Sequence, residues 1–113
     1  MGSRVEERLF GERQTLHAPH LLDVEVTQTI RRFAASKAID GARGAAALQD
    51  LVDLPIQRYA HGILLPRVWA LRQNYTAYDA TYVALAEALD APLITRDQRL
   101  ANGAGHSARI EVM

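Results

Sequence analysis

Apolar residues in the segment HLLDVEVTQTIRRFAASK return at Leu22, Val26, Ile30 and Phe33, the three-and-four spacing of a helix with one buried face. Upstream, RVEERLF (4–10) reads as the last turns of a helix ended by Gly11, and TLH (15–17) as a short β-compatible run stopped by Pro19. Asp40 is placed to cap a second helix that carries Ala45, Leu48, Leu51 and Val52 as far as Pro55. Ile56–Tyr59 has strand character, and Leu64–Asn74 predicts a helix with Pro66 in its first turn, where the missing N–H is harmless. From Thr76 the pattern changes. Tyr78, Tyr82, Leu85 and Leu89 line one side of a helix, while Ala80, Val83, Ala84 and Ala88 line others, so this helix is expected to be buried on more than one side. PLIT (92–95) is a short apolar strand of the kind found inside parallel sheets, and RIEVM (109–113) alternates like an edge strand. Helices alternating with short buried strands predict one α/β domain over residues 1–113, with a short parallel sheet flanked by helices.

Composition narrows this picture. The 113 residues, 49% of them hydrophobic, suffice for a single core. Thirteen basic residues balance thirteen acidic ones, so the molecule has no overall field that draws nucleic acid. Twelve of the basic residues are arginine, Lys37 being the one lysine; arginine suits bidentate phosphate contact, but the 19 alanines fit a codon-driven bias equally well. With no cysteine, disulfides and thiolate metal sites are excluded. No apolar run has the length of a membrane span and MGSRVEERLF is unlike a secretory signal, so a cytoplasmic protein is expected.

Three acids stand out. Thr76-x-x-Asp79 has the form of a capping box, which would make Asp79 a helix cap. Asp97 is placed to cap DQRLA, and Glu25 could be a solvated helix charge. Glu25, however, lies about 60° from Leu22 on the helical wheel, at the border of the core-facing stripe. Asp97 directly follows PLIT, and the helix of Glu25 starts where the TLH strand ends; ligands of open parallel sheets bind at that end. Carboxylates converging there from separate elements suit a hard cation such as Mg²⁺.

The runs AYDATYVALAEALDAPLITRDQRLA, LHAPHLLDVEVTQTIRR and LRQNYTAYD together resemble PIN-domain proteins, specifically VapC-type toxins of toxin–antitoxin pairs, over residues 4–113. The resemblance implies a small α/β sandwich and an endoribonuclease dependent on Mg²⁺ or Mn²⁺, in which acids hold metal that activates water against an RNA phosphate. Glu25, Asp79 and Asp97 match the second, third and fourth acids of the family pattern; Thr95 and Asn74 match polar residues that support it. Arg72, Arg96 and Arg99 are candidate RNA phosphate contacts. A VapB-type antitoxin, an RNA substrate and a homodimer are the implied partners.

The departure from the family is at the front. Its first central strand, which carries the first acid, has no counterpart in residues 1–24, and Asp23 points about 200° away from Glu25. The resemblance therefore implies an in-frame upstream segment encoding an apolar strand that ends in Asp. Without it, PLIT is expected to lack a strand neighbour and ribonuclease activity to be weak or absent. The alternative is a non-catalytic PIN remnant that binds an antitoxin or another PIN chain. A receiver-type signalling domain fits less well, because Lys37 lies at a helix end away from the acids. His17 and His20 lack a third ligand of matching spacing and are read as surface histidines. Trp69, Tyr75, Tyr78 and Tyr82 are candidates for base stacking, although Trp69, Tyr78 and Tyr82 also have the helical spacing of core or dimer-interface residues.

Overall fold

The computed structural model describes residues 15–113, and the helix expected over 4–10 lies outside them. The chain runs through β1 (Leu16–Pro19), α1 (Leu21–Ala35), α2 (Gly41–Asp53), β2 (Ile56–Tyr59), a 3₁₀ turn (Gly62–Leu64), α3 (Leu65–Ala70), α4 (Ala77–Leu89), β3 (Leu93–Thr95), α5 (Gln98–Asn102) and β4 (Ile110–Val112). Its strands form two parallel pairs, β1 with β2 (Leu16 beside Ile56) and β3 with β4 (Leu93 beside Ile110). β3 is thus not isolated: the RIEVM segment pairs with it, which corrects the expectation for PLIT. Among the described residues no strand joins the two pairs.

What joins them is α4. It packs against β1, β3 and α3, and every residue from Ala80 to Ala86 is buried, as an all-round apolar helix requires. Small side chains at Ala80, Ala84 and Ala86 let neighbouring backbones approach closely. Leu22, Val26 and Ile30 of α1 complete the core with Leu51, Ile56, Val68, Leu71 and Leu100; each buried aliphatic side chain contributes about 1.5–3 kcal/mol. Phe33 departs from the predicted stripe. It lies in the last turn of α1, where the chain reverses through Lys37 at φ 63°, and it stays largely exposed.

The helix starts follow from their capping residues. Asp40 accepts the Arg43 N–H at 2.7 Å and Thr76 Oγ1 accepts that of Asp79 at 3.1 Å. His20 gives α1 no side-chain cap; His61 does so from across the chain, its Nε2 accepting the Leu21 N–H at 2.9 Å. α3 is shorter than its sequence pattern: Leu71 (φ −90°, ψ 3°) leaves helical geometry and a run of turns leads to the extended Thr76 (ψ 160°) that opens α4.

The loop between α5 and β4 is tied back onto the helices by side chains. Arg67 of α3 grips both oxygens of Glu87 on α4 at 2.7 and 2.9 Å and donates to the Gly105 carbonyl at 2.7 Å. The Ser107 N–H donates to Glu87 Oε2 at 2.7 Å. Gly103 rests against the Tyr75 ring so closely that a Cβ there would overlap it.

Candidate active site

Three connections bring the acids to one end of the molecule. α1 begins two residues after β1 ends, so its first turns stand at the carboxyl end of that strand, with Glu25 in the second turn. α4 doubles back into β3 through residues 90–92, so the start of α4 lies at the carboxyl end of β3; there the first turn presents Asp79. Asp97 comes two residues after β3 ends. All three acids are partly buried.

The contacts agree with this placement. Tyr82, one turn beyond Asp79 on α4, donates its phenol hydrogen to Glu25 Oε1 and so couples α1 to α4. Arg99 donates to both oxygens of Asp97 at 3.2 Å. Its guanidinium is held more tightly protonated, first by that hydrogen bond and further by the charges of Asp97 and Asp79. The Tyr75 phenol is pushed up first by burial and then by the charges of Asp79 and Glu87.

The capping roles are real but incomplete. Thr76 caps α4, yet among the described residues the Asp79 carboxylate accepts no hydrogen bond, so the reciprocal half of the box is unmade. Asp97 does cap α5, accepting the Arg99 N–H at 3.0 Å, and Thr95 Oγ1, on a side chain only 1% exposed, holds the Asp97 N–H at 3.1 Å. Asn74 donates to the Ala104 carbonyl at 2.8 Å, tying the turn before α4 to the loop after α5. Arg72 lies over the Trp69 ring, 4.4 Å from its centroid, and Arg96 is exposed beside Asp97.

Among the described residues no three Asp, Glu or His side chains stand close enough to cage a metal ion. The donor set is nonetheless of hard oxygen, and Mg²⁺ takes one or two carboxylates and fills its remaining positions with water and phosphate oxygens. The donor chemistry suits a hydrated ion of that type, and the described residues form no closed protein cage.

Comparison with known proteins decides the family. Residues 2–105 match the PIN domain. The chain is 41% identical over 112 residues to Ribonuclease VapC12 of Mycobacterium tuberculosis, covering 99% of this chain and 85% of that protein. Ribonuclease VapC1 of the same organism is 47% identical over 98 residues (86% and 74%), and VapC ribonuclease Mb0985 of Mycobacterium bovis 45% over 89 residues (79% and 70%). This chain belongs to the PIN domain family.

Within the PIN domain, Asp23 is engaged by Arg58 of β2 at 2.8 Å and takes no part in the site. His17 is no plain surface histidine: its ring nitrogens meet Tyr59 Oη at 2.7 Å and Thr15 Oγ1 at 2.6 Å. Tyr75 and Tyr82 are core residues, whereas Trp69 and Tyr78 are 68% and 64% exposed. Reasoning from sequence treated Tyr82 as core or as a stacking ring and missed its grip on Glu25. The available signal was its spacing, three residues beyond Asp79 and therefore on the same helix face.

Proposed function

We propose that this PIN domain is an endoribonuclease of the VapC type, cutting RNA with water activated at a Mg²⁺ or Mn²⁺ ion, and that a VapB-type antitoxin restrains it in the cytoplasm. What supports this reading is a chain matched over nearly its whole length by a ribonuclease, in which the start of α4 that carries Asp79 is tied through Tyr82 to Glu25, and Asp97 follows β3 directly. A bound divalent cation would supply Lewis acidity and a more acidic water. Asp79 and Asp97 would hold it, and Glu25 would accept a hydrogen from its water. Arg99, an exposed arginine beside Asp97, is suited to steady an RNA phosphate, with Arg96 and Arg72 as outer contacts. Pairing of two copies, as a homodimer, belongs to the same proposal. No helix among the described residues is long and apolar enough to cross a membrane.

The test is cleavage of a structured RNA with Mg²⁺ or Mn²⁺ by the unaltered chain and by Asp97→Asn. Cleavage by the unaltered chain, however weak, is expected to fall at least 100-fold in the variant. Equal cleavage by both excludes the assigned site. No cleavage by either, together with retained binding of an antitoxin, would favour the non-catalytic alternative.

A further inference from the structure

We propose that Tyr82 is a positioning residue for Glu25, and that its phenol sets how well Glu25 serves a divalent cation or its water. The proposal rests on the metal-dependent reading above and goes beyond it, because it assigns a role to a side chain that is not an acid and that the helical pattern places in the core.

Three observations carry it. The Tyr82 ring is only 5% exposed, packed in the most buried stretch of α4, so its hydroxyl has little freedom to wander. That hydroxyl donates to Oε1 of Glu25, on a different element and 57 residues away. Among the described residues no lysine, arginine or histidine forms an ion pair with Glu25. A carboxylate on the rim of a core helix has several rotamers open to it, and a flexible chain must be ordered before it serves any ligand. One neutral donor removes that freedom while leaving Oε2 and the second lone pair of Oε1 able to accept from a cation or its water. A neutral donor also leaves the carboxylate's charge in place, where an arginine would cancel much of it. This is the division of labour seen when outer hydrogen bonds orient metal ligands, and loss of such a bond typically weakens metal binding about 10–100-fold.

Tyr82 also couples distance to chemistry. It stands one turn from Asp79, so the same helix that presents Asp79 fixes Glu25 on α1. A shift of α4 relative to α1 would move both acids at once.

The experiment measures Mn²⁺ affinity by calorimetry for the unaltered chain, Tyr82→Phe, Glu25→Gln and the double variant, with thermal unfolding of each metal-free protein alongside. Phe keeps the buried ring and removes only the hydroxyl. Tyr82→Phe is expected to weaken Mn²⁺ binding about tenfold or more, and to add little further loss in the Glu25→Gln background, since the hydroxyl acts through Glu25. Unchanged or tighter Mn²⁺ binding by Tyr82→Phe overturns the proposal while the metal reading stands. Equal losses in both backgrounds overturn it too, because the ring would then act on the scaffold and not on Glu25. If the unaltered chain binds no Mn²⁺ at all, the metal reading fails and this proposal with it. Should Tyr82→Phe unfold, Glu25→Asp serves as a second variant: it keeps the charge but withdraws the carboxylate from the phenol, and must then weaken binding to a similar degree.

Discussion

The two ends of α4 treat their carboxylates in opposite ways. At the closing end Glu87, its side chain only 11% exposed, receives two bonds from Arg67 and one from the Ser107 N–H, and its proton affinity is lowered to about 2, mainly by the Arg67 hydrogen bonds. At the opening end Asp79 accepts no hydrogen bond among the described residues, and Glu25 is met by a neutral phenol. Glu87 thereby pins the loop after α5 to α3 and α4. Partly buried carboxylates left short of donors lie at the opposite extreme: they are costly to fold around unless something else binds them. The same helix thus separates architecture from chemistry by how completely each acid is paired.

Exchanging Asp79 for Asn should break that division most visibly. RNA cleavage is expected to fall at least 100-fold, about 2.7 kcal/mol of transition-state stabilisation, while thermal stability changes by under about 1 kcal/mol, since Thr76 still caps α4. A variant that cuts normally but unfolds early would make Asp79 an ordinary helix-end acid. Glu87→Gln should do the reverse and cost about 2 kcal/mol of stability, the scale of hydrogen bonds to charged groups, because Arg67 loses its bidentate partner but remains wet enough to recover water. Its cleavage rate, measured well below the melting temperature, should stay within about threefold of the unaltered chain. Denaturant melts paired with cleavage assays distinguish the two patterns.

The closing end should also govern the acid limb of stability. Glu87 is more acidic in the folded state than its ordinary 4.5, so its contribution is complete above that value and is lost as pH falls toward about 2. Urea melts from pH 6 to pH 2 are expected to show stability dropping across that window, with a smaller drop in Glu87→Gln. If the two proteins lose stability in parallel, other groups control acid unfolding.

The sequence displays some of this and conceals the rest for physical reasons. Caps at Asp40, Thr76 and Asp97 were legible because a helix start is a local matter of one side chain and the next three residues. Burial of α4 on all sides followed from its composition, and Ile56–Tyr59 did form a strand. The position of Asp79 at the carboxyl end of β3 was not legible, since it depends on α4 returning into β3. Phe33 fitted the α1 stripe, but periodicity records which face points inward and not how far the core extends along it. The pairing of β3 with β4 and the Arg67–Glu87 clamp are contacts between distant segments, which no local pattern specifies. Tyr82 is the instructive middle case. Its face was readable, whereas its partner Glu25 required the packing of α1 against the rest of the fold.

The smallest expected effect tests whether the closing end of α4 is purely architectural. Asp90 ends the helix in the left-handed region, at φ 49° and ψ 46°, with the Ala91 N–H returning to the Ala86 carbonyl at 3.1 Å. That conformation suits glycine, and a side chain there carries a steric cost that aspartate only partly escapes. The Arg109 guanidinium donates to the Asp90 main-chain carbonyl at 2.7 Å, a bond that survives loss of the side chain. Its approach to the exposed Asp90 carboxylate, at 3.8 Å, is a surface pair of little value. Against these gains stands the extra freedom that glycine gives the unfolded chain, about 0.4–1 kcal/mol. Asp90→Gly is therefore expected to stabilise the protein by about 0.5 kcal/mol, and Asp90→Val, which tolerates the left-handed region poorly, to destabilise it by more than about 1 kcal/mol. Neither should alter cleavage at a temperature where both are folded, because the acids gather at the far end of the helix. A fall in cleavage with Asp90→Gly, at unchanged or raised stability, would show that motion at the closing end reaches Asp79 and that the two ends of α4 are not independent.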